Sequence, residues 1–397
     1  MIRQLPVFRI GYLLYSLAAA LLIGDYLLSV DGLRDFTGSE MVGRDFINFW
    51  TGGREALAGQ VAELYDRAQY RETLLASFGP PLSSYNFSYP PHSTTLLAPF
   101  GALPYLVGLV LWSLGGVVAL AVALRPVLRS PWDVFLVCSA PAVLVALILG
   151  QTGLWVAALL IAGLHQLRER PAVSGVLIGL LTVKPQLGVL VLAVLVLGRH
   201  WTAILWATLT TLLFVGLSVL LHGIAPWQAY LADTMPFQMD IISRSIGLFD
   251  DMVQSPFKWL INLGQPVGVA RAVQGVFALV ALLLTIRAVR ISEDPIWVVT
   301  HVALLTFLFS PYITIYDMPA LLYPALVLLA LARTAPSDQR LRPALASVTL
   351  IALPVLGFYA SFLDVPLTPL VITLCIVLIG RVGPDGIRGA VTTNIRA

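Results

Sequence analysis

Long apolar runs separated by short polar stretches are the dominant pattern along this chain. About twelve runs follow one another, at residues 8–30, 104–124, 133–149, 152–167, 172–183, 186–198, 202–221, 265–286, 296–309, 318–332, 344–362 and 366–380. A helix that crosses a bilayer needs about 20 mostly apolar residues. The pattern therefore predicts an all-α polytopic membrane protein with about twelve transmembrane helices, forming one integral membrane domain over residues 1–397.

The first run follows Arg3 and Arg9, an arrangement that also begins a secretory signal peptide. Residues 18–20 are alanines, yet more apolar chain follows them instead of the polar start of a mature protein. With about 20 apolar residues, the run is long enough to cross the bilayer. We therefore interpret residues 8–30 as the first span.

Several later runs are too short to cross a bilayer without tilting, and polar residues interrupt the chain beside them. The interruptions fall at Gly150-Gln151-Thr152, Lys184-Pro185 and Ser310-Pro311. Backbone that leaves a helix at membrane depth must be buried in protein or line a wet cavity, because its N–H and C=O groups need partners. We predict that polar groups at these breaks contribute to a functional site.

The composition excludes a soluble globular protein. Hydrophobic residues make up 58% of the chain and charged residues 11%, whereas soluble domains carry about a quarter charged residues. The two cysteines, Cys138 and Cys375, lie in apolar runs, so we interpret them as buried hydrophobic side chains rather than a disulfide or a metal site. No metal and no cofactor is predicted.

The distribution of charge predicts an orientation. Most of the 24 lysine and arginine residues fall in short loops on the side of the N-terminus, and such loops are typically cytoplasmic. Both termini are therefore predicted to be cytoplasmic, in the cell inner membrane. The net charge of +3 arises from these loops, whose arginines suit anionic membrane lipids, so no nucleic-acid partner is implied. Two long polar segments, 31–103 and 222–264, then lie on the outer, periplasmic face.

The first of these outer loops contains a predicted interfacial helix. Phe46, Phe49, Trp50 and Leu57 recur at helical spacing, which favours a helix with its aromatic side chains toward lipid. Asp45 stands at the N-terminus of that helix. The second loop contains several glycines, prolines and polar residues, so we predict short helices that form a mobile lid over the site.

Two roles are open to Asp45 on spacing alone. It can cap the helix by accepting hydrogen bonds from backbone N–H groups. Alternatively it acts as a general base at the membrane interface, where desolvation raises its pKa and hydrogen bonds from Arg44 or Arg54 lower it. The sequence does not choose between these roles.

A series of short motifs resembles glycosyltransferase family 87 in content and order. The motifs are Gly43-Arg44-Asp45-Phe46, Phe49-Trp50, Ala56-Leu57-Ala58-Gly59, Leu64-Tyr65-Asp66, Tyr89-Pro90-Pro91, Leu96-Leu97-Ala98-Pro99-Phe100, Gly150-Gln151, Lys184-Pro185-Gln186, Gln254-Ser255 and Tyr316-Asp317. The resemblance covers most of the chain and is strongest over residues 43–104. It implies a GT-C fold with a catalytic aspartate in the first outer loop and a polyprenyl-phosphate-linked sugar as donor.

By this resemblance Asp45 takes the proton from an acceptor hydroxyl, and a hexose, expected to be mannose, is transferred with inversion to a lipid or glycan acceptor. Lys184, at a proline-broken junction, is a candidate for donor-phosphate binding, although a lysine there can also snorkel to the interface. Arg44, Lys258 and Arg244 are further phosphate candidates. Their alternatives are pairing with Asp45 for Arg44 and solvated loop charges for the other two.

Five polar residues are candidates for binding the sugar or the acceptor, namely His92, Gln151, Tyr89, Asp317 and Gln254. His92 can equally be an interfacial histidine with a backbone partner. Asp317 can instead pair with a cation or cap a helix before Met318-Pro319. An aromatic ring such as Tyr89 either stacks on a sugar or anchors the loop at the head groups.

A transporter or flippase is the main alternative function, because broken helices and intramembrane polar groups are expected there too. A structural or assembly protein is a third reading. Two features favour the enzyme: the polar residues are concentrated on one face, and the two halves of the chain show no internal repeat.

Overall fold

The computed structural model describes residues 31–35, 37–244 and 248–393, and of the preceding chain Leu17, Leu21, Gly24, Tyr26, Leu28 and Ser29. The predicted span 8–30 therefore lies largely outside the described residues, as do residues 245–247 of the second loop. Within the described part the chain is helical, with only isolated β-bridges and no strand. The predicted all-α membrane fold is confirmed.

The first loop, residues 31–103, contains three helices: α1 (Phe46–Ala58), α2 (Arg67–Phe78) and α3 (His92–Gly101). The chain then continues as α4 (Tyr105–Leu124), α5 (Pro131–Ser139), α6 (Pro141–Ile148), α7 (Gly153–His165), α8 (Pro171–Leu180), α9 (Val189–Leu197) and α10 (Trp201–His222). The second loop, residues 222–264, contains α11 (Ala225–Ala229), α12 (Met235–Ile241), α13 (Leu248–Met252) and α14 (Pro256–Asn262). The last helices are α15 (Val267–Ile291), α16 (Pro295–Phe309), α17 (Leu322–Thr334), α18 (Leu341–Ser361) and α19 (Leu367–Thr392).

Short 3₁₀ and π-helical segments join some of these α-helices. They are the 3₁₀ segments Val61–Tyr65, Leu181–Val183, Pro185–Leu187 and Ile315–Leu321, and the π-helical segment Tyr230–Thr234. The second loop thus contains several short helices, as predicted.

Six of the described helices are long and apolar enough to cross a membrane: α4, α10, the Ile315–Thr334 segment that ends in α17, α15, α18 and α19. Helices α5 and α6 add a seventh span if the pair, bent by 46°, is counted as one. Helices α7 and α16 and the Pro171–Val183 segment are apolar but shorter. The predicted multi-pass architecture is confirmed, whereas the count of about twelve crossings is not.

The three predicted breaks are present at the expected places. Helix α6 ends at Ile148 and α7 begins at Gly153. The segment after α8 ends at Val183, before Lys184, and α16 ends at Phe309. Proline and glycine residues at these positions disfavour a continuous helix, because proline lacks the N–H donor and glycine loses more conformational entropy than other residues when it becomes helical.

Burial separates a central helix from peripheral ones. The apolar window of the Ile315–Thr334 segment is entirely buried, whereas only 11% of the apolar window of α10 and 17% of that of α15 is buried. These two helices expose leucines such as Leu212, Leu213 and Leu283. A helix that is apolar on all sides and exposed to this degree is suited to contact lipid.

Helix α1 packs into protein rather than toward lipid, which corrects the sequence-based prediction. Phe46, Phe49 and Trp50 are buried, and Phe46 lies edge-on to Tyr105 of α4 at 5.4 Å between ring centroids. The helix spacing was right, but α3 and α4 supply a protein surface for the aromatic side. Only Leu57, which is 60% exposed, lies outside this aromatic core.

Two glycines allow α1 and α3 to cross closely. A Cβ atom on Gly53 would lie 2.2 Å from the carbonyl oxygen of Leu97, and one on Gly101 would lie 2.2 Å from the backbone nitrogen of Arg54. Backbone atoms cannot yield to such an approach, so both positions require glycine. The close crossing fixes α1, and with it Asp45, against the rest of the first loop.

Candidate active site

The three breaks and both loops meet around one cavity of about 450 Å³. Its lining includes Arg44, Asp45, Asn48, Tyr85, Ser88, Tyr89, Gln151, Lys184, Tyr230, Gln238, Met239, Ser310 and Tyr316. The expectation that polar groups at the breaks contribute to a site is therefore supported by geometry. The loops and the breaks consequently lie at the same end of the helical bundle.

The backbone around Asp45 is tied to the first break. Its N–H donates to the carbonyl oxygen of Leu149 at 2.9 Å. Gly150, next in the chain, has a φ of +60°, and a Cβ atom there would lie 2.6 Å from Cβ of Phe46. Glycine is required both for the left-handed conformation and for the close approach. The start of α1 is thereby locked against the junction of α6 and α7.

The side chain of Asp45 takes part in a hydrogen-bond network and does not cap the helix. It makes no capping hydrogen bond to α1, so that alternative is wrong. Instead, Oδ2 accepts a hydrogen bond from Nε2 of Gln151 at 2.7 Å. Gln151 Oε1 in turn accepts from the Tyr89 hydroxyl at 3.2 Å and from the backbone N–H of Thr152 at 3.1 Å. These contacts orient the carboxylate toward a single arrangement.

The two arginines expected to donate to Asp45 have other partners. Arg44 forms an ion pair with Glu40, with 3.4 Å between Nε and Oε2. Arg54 lies over the ring of Trp50, 5.1 Å from its centroid. The prediction of a hydrogen bond from either arginine is therefore wrong, and Gln151 takes that place. Arg44 still lines the cavity and acts on Asp45 through its charge.

Burial raises the pKa of Asp45 above its ordinary value. The positive charge of Arg44 and the hydrogen bond from Gln151 oppose this shift without cancelling it. Desolvation disfavours the charged form of a carboxylate, so the raised pKa makes Asp45 a stronger base than a solvated aspartate. A carboxylate with this environment is suited to take a proton from a hydroxyl group.

Lys184 lies at the second break and is buried. Its Nζ forms an ion pair with Oδ1 of Asp317, and it also lies 4.9 Å from the centroid of the Tyr316 ring. The alternative of a lysine snorkelling to the interface is wrong, because the ammonium group is paired inside the protein. Lys184 lines the cavity beside Asp45, with Asp317 behind it.

Asp317 has two partners, one for each carboxylate oxygen. Oδ1 forms the ion pair with Nζ of Lys184. Oδ2 accepts hydrogen bonds from the backbone N–H and the hydroxyl of Thr314, at 3.0 and 2.9 Å. Asp317 is thus the third residue of the Ile315–Leu321 segment in a capping box, which corrects its expected position as the cap itself. The cation-pairing alternative is the one that the structure contains. Asp317 does not line the cavity.

Three predicted site residues of the second loop also lie outside the cavity lining. Lys258 is buried and pairs with Asp250 at 2.6 Å. Arg244 is exposed and pairs with Asp240, so it has the geometry of a solvated loop charge. Gln254 accepts a hydrogen bond from Thr368 at 2.9 Å. Lys258 therefore joins two parts of the second loop to each other, whereas Gln254 joins the loop to α19.

His92 lies behind the cavity, where three segments meet. Its Nε2 is 3.2 Å from the hydroxyl oxygen of Thr182, and its ring stacks on Trp227 of the second loop with 5.7 Å between centroids. The expected backbone partner is replaced by the Thr182 side chain. Burial lowers the pKa of His92 to about 4, so the ring is neutral near neutral pH. It joins α3 to the second loop.

Sequence reasoning missed several residues that line the cavity, among them Asn48, Tyr85, Ser88 and Gln238. A signal existed for Asn48, because it follows Asp45 by three residues and so shares its helical face. Tyr85 donates to Glu40 at 2.6 Å and Gln238 donates to Ser88. These pairs depend on contacts between distant segments and leave no local pattern.

Comparison with known proteins gives one result. The model of glycosyltransferase family 87 matches residues 87–311, which is more than half of the chain and includes Tyr89, Gln151 and Lys184. Neither a curated protein nor a solved structure gives a significant match. Asp45 precedes the matched region but is held by Gln151 within it. The chain belongs to glycosyltransferase family 87.

Proposed function

We propose that this membrane glycosyltransferase moves a hexose, expected to be mannose, from a polyprenyl-phosphate donor to a lipid-linked or glycan acceptor, with Asp45 as general base. The observation that carries the proposal is the Asp45 carboxylate at the cavity. Its Oδ2 is held by Gln151, while Oδ1 has no hydrogen-bond partner within the described part of the chain. One oxygen is therefore oriented by protein and the other is left for a substrate hydroxyl.

The proposed reaction is a single displacement with inversion. The acceptor hydroxyl oxygen attacks the anomeric carbon, its proton passes to Asp45, and the bond between that carbon and the phosphate oxygen breaks. The bonding pair leaves with the lipid phosphate. An oxocarbenium-like transition state needs a base on one side and a stabilised leaving group on the other, so one carboxylate is sufficient.

Lys184 and Arg44 are the proposed partners of the leaving phosphate, because both line the cavity beside Asp45. Each already has a carboxylate partner, Asp317 for Lys184 and Glu40 for Arg44. Such a partner fixes the direction of the cation while leaving other N–H groups for an anion. Preorganised donors of this kind stabilise charge that develops in the transition state.

The second loop supplies an apolar side to the cavity, with Met239, Ile242 and Phe249 among its lining residues. We assign this side to the lipid portion of a substrate, because apolar and flexible methionine side chains adapt to an alkyl chain. We assign the site to the outer face of the cell inner membrane, with both termini cytoplasmic, because the basic residues are concentrated in the short loops of the opposite side. Such a location suits a donor assembled on lipid.

Asp45→Asn tests the proposal directly. The amide keeps the size of the side chain but cannot accept the proton, so we expect transfer from polyprenyl-phosphate mannose to fall by about 10²- to 10⁴-fold. Thin-layer chromatography that separates the radiolabelled product from the radiolabelled lipid donor measures the turnover, and Asp31→Asn, outside the cavity, is the control. Full turnover in Asp45→Asn, or labelling that places residue 45 in the cytosol, contradicts the mechanism.

A further inference from the structure

Asn48 lies one helical turn beyond Asp45 and lines the same cavity. The two residues share the first turn of α1, in which the backbone N–H of Asn48 donates to the carbonyl oxygen of Asp45 at 3.1 Å. The Cβ atoms of residues three apart on a helix are about 5–6 Å from each other. The Asn48 amide is therefore a neighbour of the Asp45 carboxylate in the cavity.

The orientation of the Asn48 amide is fixed from behind by Tyr70. The Tyr70 hydroxyl donates to Oδ1 of Asn48 at 2.6 Å, and Tyr70 itself is only 1% exposed. A hydroxyl buried to that degree has no access to water, so this hydrogen bond is strongly favoured. With Oδ1 occupied, the remaining polar atom of the amide is Nδ2.

Nδ2 forms no hydrogen bond with the described residues, although Asn48 is only 7% exposed. Nδ2 is not a fully buried atom, so it is open to the cavity that Asn48 lines, and a bound ligand atom can replace solvent as its partner. An amide nitrogen is a donor only, so the ligand atom must be an acceptor oxygen. Asp45 and Asn48 together present one hydrogen-bond acceptor and one donor to the same part of the cavity.

We infer that Asn48 donates a hydrogen bond to the oxygen adjacent to the hydroxyl that Asp45 deprotonates. The acceptor is thus a sugar or cyclitol in which the reacting hydroxyl has a neighbouring hydroxyl on the same ring. In the proposed complex, each side chain makes a hydrogen bond of about 2.7–3.2 Å to one of two neighbouring oxygens of the same ring. The inference rests on the proposed function, because it takes Asp45 as the base, and it adds the chemical class of the acceptor.

Binding of octyl α-mannoside and its monodeoxy derivatives tests the inference without turnover. Removing the oxygen that Asn48 contacts should weaken binding to the unchanged protein by about 10- to 100-fold. In Asn48→Ala the same derivative should bind as well as the complete mannoside. A derivative that lacks the reacting oxygen should bind the unchanged protein more weakly than the complete mannoside does. In Asp45→Asn this difference in affinity should disappear. Ligand-dependent thermal stabilisation of the purified protein in detergent measures these affinities.

Two further variants separate a specific contact from a general defect. Asn262→Ala changes an asparagine of α14 outside the cavity lining and should keep the full discrimination. Tyr70→Phe removes only the hydroxyl that holds the amide, so it should lose part of the discrimination. An equal loss of affinity for every mannoside in Asn48→Ala, or no binding of octyl α-mannoside to the unchanged protein, overturns the inference.

The outcomes also distinguish this inference from the proposed function. If Asn48 contacts the phosphate of the donor instead, Asn48→Ala raises the KM for polyprenyl-phosphate mannose and leaves the acceptor discrimination intact, which overturns the inference alone. If the discrimination depends on Asn48 but no sugar is transferred from polyprenyl-phosphate mannose, the assignment of the donor fails and the acceptor inference stands.

Discussion

Helix α1 of the first loop and helix α12 of the second loop line the same cavity but are packed very differently. Helix α1 buries most of its residues, with Phe46 and Ile47 completely inaccessible. Helix α12 buries none of its residues, and Met235 and Met239 are 46% and 47% exposed. The side of the cavity formed by α1 is therefore part of a packed core, whereas the side formed by α12 is loosely packed.

This difference matches the two tasks that the proposed reaction requires. A base must be held within a fraction of an ångström of its working position, which only a packed support provides. A cover that admits substrate must open at small cost, which favours segments with few buried contacts. The rigid side also contains Gln151 and Lys184, while the loosely packed side contributes mainly apolar groups.

Lys184→Met should have the largest effect on the packed side. It leaves the Asp317 carboxylate buried without its cation, and breaking a buried pair in this way costs about 3–5 kcal/mol of the free energy of unfolding. Thermal unfolding in detergent measures the loss. The double variant Lys184→Met with Asp317→Asn should regain stability but not activity, because the phosphate partner is still missing. Transfer at the original rate in the double variant would exclude Lys184 from phosphate binding.

A matched pair of methionines compares the two sides directly. Met41 of the first loop is 1% exposed, so Met41→Ala should lower the free energy of unfolding by about 2–5 kcal/mol. Met239→Ala in the lid should change it by less than about 0.5 kcal/mol. Parallel thermal unfolding of the two variants provides the measurement. Equal losses would mean that the lid is as firmly packed as the first loop.

Gln151→Leu should shift the pH dependence of transfer. A general base works only when deprotonated, so activity falls as the pH drops through the pKa of Asp45. Burial raises that pKa, and the hydrogen bond from Gln151 lowers it. Removing this hydrogen bond should raise the pKa further and move the acidic limb of kcat/KM to higher pH. An unchanged limb would mean that Asp45 is not the group that titrates.

Limited proteolysis should show the smallest effect, a donor-dependent protection of the lid. Bound polyprenyl-phosphate mannose contacts residues such as Met239 and Tyr230 in the proposed complex, so cleavage within residues 222–264 should slow when the donor is present. Cleavage of the loop joining α18 and α19 serves as the internal control. Equal cleavage of the lid with and without donor would contradict its role as a mobile cover.

The sequence by itself determined the helical membrane fold, the three breaks and the position of Asp45 at the start of a helix. These features depend on the length of apolar runs and on local proline and glycine residues, which act within a few positions along the chain. The family resemblance drew attention to Gln151 and Lys184 for the same reason, since their motifs are local. The direction of the α1 aromatic side was not predictable, because lipid and a protein core both favour aromatic residues.

Only the tertiary structure decided which polar groups meet. Gln151 donates to Asp45 across 106 positions of the chain, and Lys184 reaches Asp317 across 133. The same packing placed Lys258 and Gln254 away from the cavity and brought Asn48 into it. Hydrogen bonds and ion pairs act over a few ångströms, so their partners are set by how distant helices cross, which no local pattern of residues specifies.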